Sequence, residues 1–251
     1  MPSAFLRPLR SPFLVVFTVL AGTFALPACA AQTETEEVGA GEGAIGADAY
    51  AAYVDFVNAE GGSVRSGEVT VLGLRGVDFD GNHHPTRFAH AFDDTFVVLK
   101  ADKTVERFHG STHPFEVTGV AGVPDVDGDG QPDIGLIRPG SYKVQARAKK
   151  VANVASYLVT TDGKNSIPSW RDTNHDGIID EQEKEASEAR ATASTDILFH
   201  QGEGGAPPAV GCQVLSAVEM PKFIRAVGGA GANFRYVLVD VTDRNVADLP
   251  R

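Results

Sequence analysis

From about residue 68 onward, the chain alternates short runs of β-branched and aromatic residues with Gly, Pro, Asp and Asn. GEVTVLGLRG, DTFVVLKA, TVERFHGS, IGLIRPGSYKVQARA, ASYLVTT, TDILFH and FRYVLVDV have the length and composition of strands bounded by turns. Three segments break this texture. In ADAYAAYVDFVNAEGG, the residues Tyr50, Tyr53, Val54 and Val57 recur at helical spacing and a Gly pair stops the run. SAVEMPKFIRAVGG reads as helical from about Val218, with Pro221 in the first turn, where its missing N–H breaks no helical hydrogen bond. EQEKEASEARATA is a charged helical stretch that follows an acidic loop. The expected fold is mainly β, a β-sandwich, with two or three short helices.

The first 46 residues do not belong to that domain. MPSAFLRPLR carries two arginines and no acid, SPFLVVFTVLAGTFAL is an apolar run of signal-peptide length, and LPACAAQ closes it with small residues. This is the pattern of an export signal over residues 1–28, too short to span a bilayer comfortably. Leu26-Pro27-Ala28-Cys29 resembles a bacterial lipobox, which would make Cys29 the lipidated first residue of the mature chain. Ala28-Cys29-Ala30 also offers an A-x-A-like site for ordinary cleavage. The lipoprotein reading explains the cysteine, and it implies an exported chain held on the cell envelope by its acyl chains alone. Residues 29–46 are acidic and Gly-rich and read as a tether, leaving 47–251 as the domain.

Composition narrows the partners. With 43% hydrophobic and 22% charged residues the chain has the composition of a globular protein. Loss of the signal would make its formal charge of −11 more negative by two. No basic stripe is available to neutralise phosphates, so nucleic acid is an unsuitable partner. Much of the acid is gathered in two short clusters, which points to bound cations instead.

DTNHDGIIDEQE, residues 172–183, fills every slot of an EF-hand calcium loop. Asp172, Asn174 and Asp176 stand at positions 1, 3 and 5, Gly177 makes the turn at 6, and Ile178 offers its carbonyl at 7. Asp180 is at 9 and Glu183 supplies the bidentate carboxylate at 12. NSIPSW is not an entering helix, so the loop is EF-hand-like. DVDGDGQPD, residues 125–133, places Asp125, Asp127, Asp129 and Asp133 in a D-x-D-G-D-G-x-x-D pattern similar to other extracellular calcium loops, with a plain Gly/Asp turn as the alternative. Calcium is the expected cofactor, stiffening long loops. The single Trp170 is expected to pack beneath the second loop. His83, His84, His90, His109, His113 and His200 form no zinc motif, so a zinc site would have to be assembled from histidines and aspartates in three dimensions. Asp93 and Asp94 read as a strand-entry turn.

The remaining chemistry lies in DILFHQGEGGAPPAVGCQVL, residues 196–215. His200 ends a strand-like run, a Gly/Pro loop follows, and Gly211-Cys212 opens the next element. Two strand ends joined by a loop can set an imidazole beside a thiol, and Gly211 would let a carbonyl approach backbone N–H groups near Cys212. A buried, inert cysteine is the alternative. FHQGEGG…AVGCQV resembles the signature of the L,D-transpeptidase (YkuD-like) family, an H-G segment followed by S-H-G-C, and a phage and bacterial subgroup with an S-A-G-C-Q-V-F-type motif. DTFVVLKADKTVERFHGSTHP and LIRPGSYKV are similar to that family's upstream strand pairs, so the resemblance covers roughly residues 68–240.

The resemblance implies that Cys212 is a nucleophile acylated by a peptidoglycan stem peptide, with Gly211 before it and His200 as the upstream histidine. Where the family has histidine, serine and Arg or Asn, this chain has Val210, Ala209 and Val214, so the base falls to His200 or to His109 or His113. Arg138 in LIRPGSY is a candidate for binding a stem-peptide carboxylate. The expected function is an exported, calcium-stabilised peptidoglycan acyltransferase or peptidase. The competing expectation is a non-catalytic calcium-binding surface lipoprotein that binds the cell wall or a protein partner.

Overall fold

The computed structural model describes residues 47–115, 122–203, 209–242 and 250. The export signal, the tether and Cys29 lie outside the described residues.

The element order is α1 (Ala47–Ala59), β1 (Thr70–Arg75), β2 (Asp94–Leu99), β3 (Val105–Ser111), β4 (Ile134–Ile137), β5 (Gly140–Ala146), β6 (Tyr157–Thr160) and β7 (Ile167–Asp172). It continues with α2 (Glu181–Ala189), β8 (Ala193–Ser194), β9 (Leu198–Gln201), β10 (Gln213–Leu215), α3 (Glu219–Ala226) and β11 (Phe234–Asp240). The protein is mainly β with three short helices, as its sequence pattern leads one to expect. The strands close into a barrel of order β1-β11-β5-β6-β9-β10-β3-β2, with β4-β7-β8 as a separate three-stranded sheet, where a sandwich had been expected. β1–β11 and β9–β10 pair in parallel and the other barrel neighbours pair antiparallel.

Closure follows from which faces are apolar. Along β11, Phe234, Tyr236 and Leu238 point into the barrel, while Val237 and Val239 point out. The outward set on β1, β2 and β11 is covered by α1, whose Tyr53 and Val57 are buried against Leu72, Val97 and Val237. Both faces are therefore apolar, which gives these strands near-continuous hydrophobic runs. The barrel interior is filled from one end by α3. Met220, Phe223 and Ala226, spaced three apart, form its buried stripe, and Phe223 stacks on Phe199 with ring centroids 5.4 Å apart. Gly73 lies under the Tyr236 ring, where an added Cβ would come within 2.5 Å of its hydroxyl oxygen.

The run IGLIRPGSYKV divides at Arg138-Pro139. β4 joins β7 in the small sheet, and β5 joins β6 and β11 in the barrel. NSIPSW, although correctly not helical, contributes strand β7. Pro168 there lacks an N–H but accepts from Arg138 N.

Because Phe223 fills the barrel end, Phe223→Ala is expected to lower unfolding free energy by about 3–5 kcal/mol in chemical denaturation. Lys222→Ala, at its half-buried neighbour, removes one ion pair to Glu219 and should change it by less than about 1 kcal/mol.

Candidate functional site

The two acidic loops lie side by side because β4 and β7 are partners. Asp133 immediately precedes β4 and Asp172 ends β7, with Ile134 paired to Asp172. Both carboxylates are completely buried. Asp172 Oδ2 accepts from Gly177 N at 3.0 Å, and Asp133 Oδ2 accepts from Val126 N at 2.5 Å. The other oxygen of each is shielded from solvent and has no hydrogen-bond partner. Burial raises both pKa values. That of Asp172 rises to about 6, with repulsion from Glu183 and Asp176 adding to desolvation, and Asp127 and Asp125 act likewise on Asp133. His175 bridges the loops, its Nε2 lying 3.2 Å from Asp129 Oδ2 and 3.8 Å from Asp133 Oδ1.

In the first loop, oxygens of Asp125, Asp127 and Asp133 come within 4.8 Å of one another. Asp125 receives the amides of Gly128 and Gly130, Asp127 that of Asp129, and Asp129 that of Gln131. These local bonds turn the loop so that three carboxylates face one point. An all-oxygen set with unmet negative charge suits a hard divalent cation.

The second loop has a backbone path set by Asn174 Oδ1 accepting from Asp176 N, Asp176 Oδ1 accepting from Ile178 N, and Gly177 at φ +78°. Ile178 is an exposed large apolar side chain at this turn. Glu183 is held by backbone amides. Its Oε1 accepts from Thr173 N and Asn174 N, and its Oε2 from Asp180 N, while Asp180 Oδ1 accepts from Glu183 N. Asp180 and Glu183 thus form the capping box of α2, so helix capping by itself accounts for their three-residue spacing. Trp170 stays near the loop region through Nε1, which donates to Glu188 Oε1 at 3.2 Å.

His200 and Cys212 lie on neighbouring strands of the barrel wall, offset along them. β9 and β10 are parallel neighbours with Gln213 opposite Phe199 and Val214 opposite His200. Phe199 and Leu215 face the barrel interior, while Leu198, Cys212 and Val214 pack on the outer side. By alternation His200 shares that outer side. Extending the register sets Cys212 opposite Leu198, two residues from His200, or roughly 7 Å along the strand. His200 Nδ1 lies 2.7 Å from the Gln201 carbonyl. A carbonyl only accepts, so Nδ1 carries the proton and Nε2 keeps its lone pair. Burial holds the His200 pKa below its ordinary value, which keeps the ring neutral at pH 7.

The thiol itself is held back. Cys212 Sγ is directed at the Asp196 carbonyl, 3.8 Å away, and burial pushes its pKa up to about 11. Gly211 is required by packing, since it has φ +116° and an added Cβ would lie 2.7 Å from the Gly135 carbonyl oxygen. That contact sets the segment before Cys212 directly against β4, the strand that begins beside Asp133. His109 stacks on Phe79 at 4.2 Å, and His113 Nε2 meets Asp93 at 2.8 Å. Arg138 makes one long ion pair, 3.9 Å to Glu188, and its Nε and Nη2 are shielded without partners. These donors suit a carboxylate.

Sequence reasoning missed one constellation. Asp93 and Asp94, read as a turn, adjoin His84 and His113 at the barrel rim. The linear signal was limited to two histidine-proline pairs, His84-Pro85 and His113-Pro114.

A comparison with protein-family models and with curated proteins finds no match.

With a thiol pKa near 11, only about one part in ten thousand is thiolate at pH 7. Native Cys212 should therefore alkylate with iodoacetamide far more slowly than a free thiol, and the rate should climb as pH rises toward 11. Fast labelling at pH 7 that disappears in His200→Ala would instead mean that thiol and imidazole pair in solution.

Proposed function

We propose that the chain is a calcium-stabilised, cysteine-dependent acyl-transfer domain acting on cell-wall peptides, exported and lipid-anchored through Cys29. The observation that carries the reading is the state of His200. Its Nδ1 is engaged by the Gln201 carbonyl, burial holds its pKa down, and it shares the outer side of the barrel wall with Cys212. An oriented base on the same face as a potential nucleophile supplies the parts of covalent acyl transfer, provided that the offset of about 7 Å along the strand closes when substrate binds.

In this reading, substrate draws Cys212 Sγ away from Asp196 toward His200. The sulfur bonds to a peptide carbonyl carbon as the thiol proton passes to His200 Nε2. The tetrahedral oxyanion is held by backbone amides near Gly211 and Cys212. Collapse breaks the C–N bond, and the departing amine takes the proton from His200, leaving a thioester. An incoming amine then gives a cross-linked peptide, or water gives hydrolysis. Arg138 is the proposed partner of a stem-peptide carboxylate.

The second reading is a non-catalytic calcium-binding surface protein that binds the wall or a partner. It is favoured by the burial of Cys212 and its elevated pKa. In either reading, calcium at the paired loops relieves the unpartnered Asp133 and Asp172 oxygens. The neighbouring β4–β7 sheet is the backing of the Gly211–Cys212 segment.

Incubation of the purified chain with muropeptides, followed by mass spectrometry, separates the two. A covalent acyl adduct or new muropeptides from the wild type, absent in Cys212→Ala and strongly reduced in His200→Ala, is the expected result. No adduct and no product in the presence of calcium would favour the binding protein.

Calcium is tested independently. EDTA should lower the melting temperature by several degrees, with calcium restoring it. Asp133→Asn should remove much of that response. Glu183→Gln should weaken the uncomplexed protein as well, because Glu183 also caps α2.

A further inference from the structure

We propose that His84, Asp93 and Asp94 form a second metal site, separate from the acidic loops, that takes a divalent transition-metal ion of the zinc class. This inference does not depend on the acyl-transfer reading.

One ligand atom from each of these residues lies within 4.8 Å of the others. His84 Nε2 is 3.4 Å from Asp94 Oδ1, and His84 Nδ1 is 3.7 Å from Asp93 Oδ2. Two ligands bound at zinc distances and a tetrahedral angle are separated by roughly 3.3 Å. The His84–Asp94 pair is therefore already at the spacing that a shared metal imposes, and it is too long for a good hydrogen bond. In agreement, His84 Nε2 is shielded from solvent yet has no hydrogen-bond partner.

The surroundings fix each donor. His84 Nδ1 lies 3.2 Å from the Pro85 carbonyl, so Nδ1 holds a proton; against the opposing effect of burial, Asp94 and Asp93 raise the ring's pKa to about 9, so a metal ion at Nε2 would take the place of a proton there. Asp94 is oriented by Gly76 N on Oδ1 and by Thr112 N and Oγ1 on Oδ2, all within 2.8 Å, and Oδ1 retains capacity to accept. Asp93 is oriented by His113, whose Nε2 lies 2.8 Å from Oδ1 and whose Nδ1 lies 3.1 Å from the Pro114 carbonyl. His113 is thus a positioning residue. Backbone carbonyls and neighbouring groups holding ligands in this manner are the usual outer shell of a protein metal site.

A mixed nitrogen and carboxylate donor set selects zinc-like ions, whereas the all-oxygen loops select calcium. The set also leaves a coordination position for water, the open form of a zinc site.

The test is zinc titration of the metal-free purified chain in excess calcium, with bound metal counted by elemental analysis and geometry read from the visible spectrum of the cobalt derivative. One tightly bound zinc is expected, with a low-coordinate cobalt spectrum. His84→Ala and Asp93→Asn should each weaken it at least 100-fold. His113→Ala should weaken it about 10-fold while leaving stoichiometry and the cobalt spectrum unchanged. Asp133→Asn should leave zinc affinity unaltered. Circular dichroism of each variant separates loss of metal from loss of fold, and the half-exposed Asp93 serves for that reason in place of the buried Asp94. Absence of stoichiometric zinc, or zinc retained equally by folded His84→Ala, would overturn the proposal.

Discussion

One buried guanidinium ties the ends of the strands together. Arg75, at the end of β1, is completely enclosed, and it donates to Thr112 Oγ1, to the Thr112 carbonyl and to the Ile137 carbonyl. Thr112 in turn donates to Asp94 at the start of β2, and Asp94 also accepts from Gly76 just past β1. Asp240, at the end of β11, is the counter-charge, 3.9 Å from Arg75 Nη1, which has no hydrogen-bond partner of its own. Strands from the barrel and from the small sheet therefore end on a single polar network. A charge in such a position is tolerable only when its donors find partners and a counter-charge lies near, which makes the geometry of the whole rim interdependent.

The small sheet couples two regions that lie far apart in sequence. β4 begins beside Asp133 and β7 ends at Asp172, so both acidic loops are carried on one antiparallel pair. The Gly135 carbonyl of β4 abuts Gly211, next to Cys212. Arg171 reinforces the unit, donating to the Asp133 carbonyl and to the Ala193 carbonyl. Any cation that settles the acidic loops thus acts on the backing of the cysteine segment through backbone packing, a short path that needs no long-range relay.

The two kinds of proposed metal site differ for a physical reason. In the acidic loops, local side-chain-to-backbone bonds curl the chain until several carboxylates face one centre, which yields only oxygen donors. At the rim, nitrogen and oxygen donors arrive from the residues before β2 and from its start, and they are held by partners outside the set, among them Thr112 and His113 in the turn after β3. Local turn chemistry makes a hard-cation loop, and tertiary assembly makes a mixed-donor site.

Much of this was legible in the linear chain. The three helices follow from periodicity, capping residues and the placement of Pro221, and most strands from β-branched runs between turn residues, because both depend on contacts within a few positions. The acidic loops were legible for the same reason, although Asp180 and Glu183 also obey the helix-capping rule. What tertiary structure alone decided was closure into a barrel, the parallel β9–β10 pairing that offsets Cys212 from His200, and the burial of Asp133 and Asp172. It also decided the meeting of His84 with Asp93 and Asp94. Hydrophobic burial is non-directional, so a pattern of apolar residues says which faces must be covered but not by which partner. The partner, and with it the protonation and accessibility of each functional group, is set only when distant strands have paired.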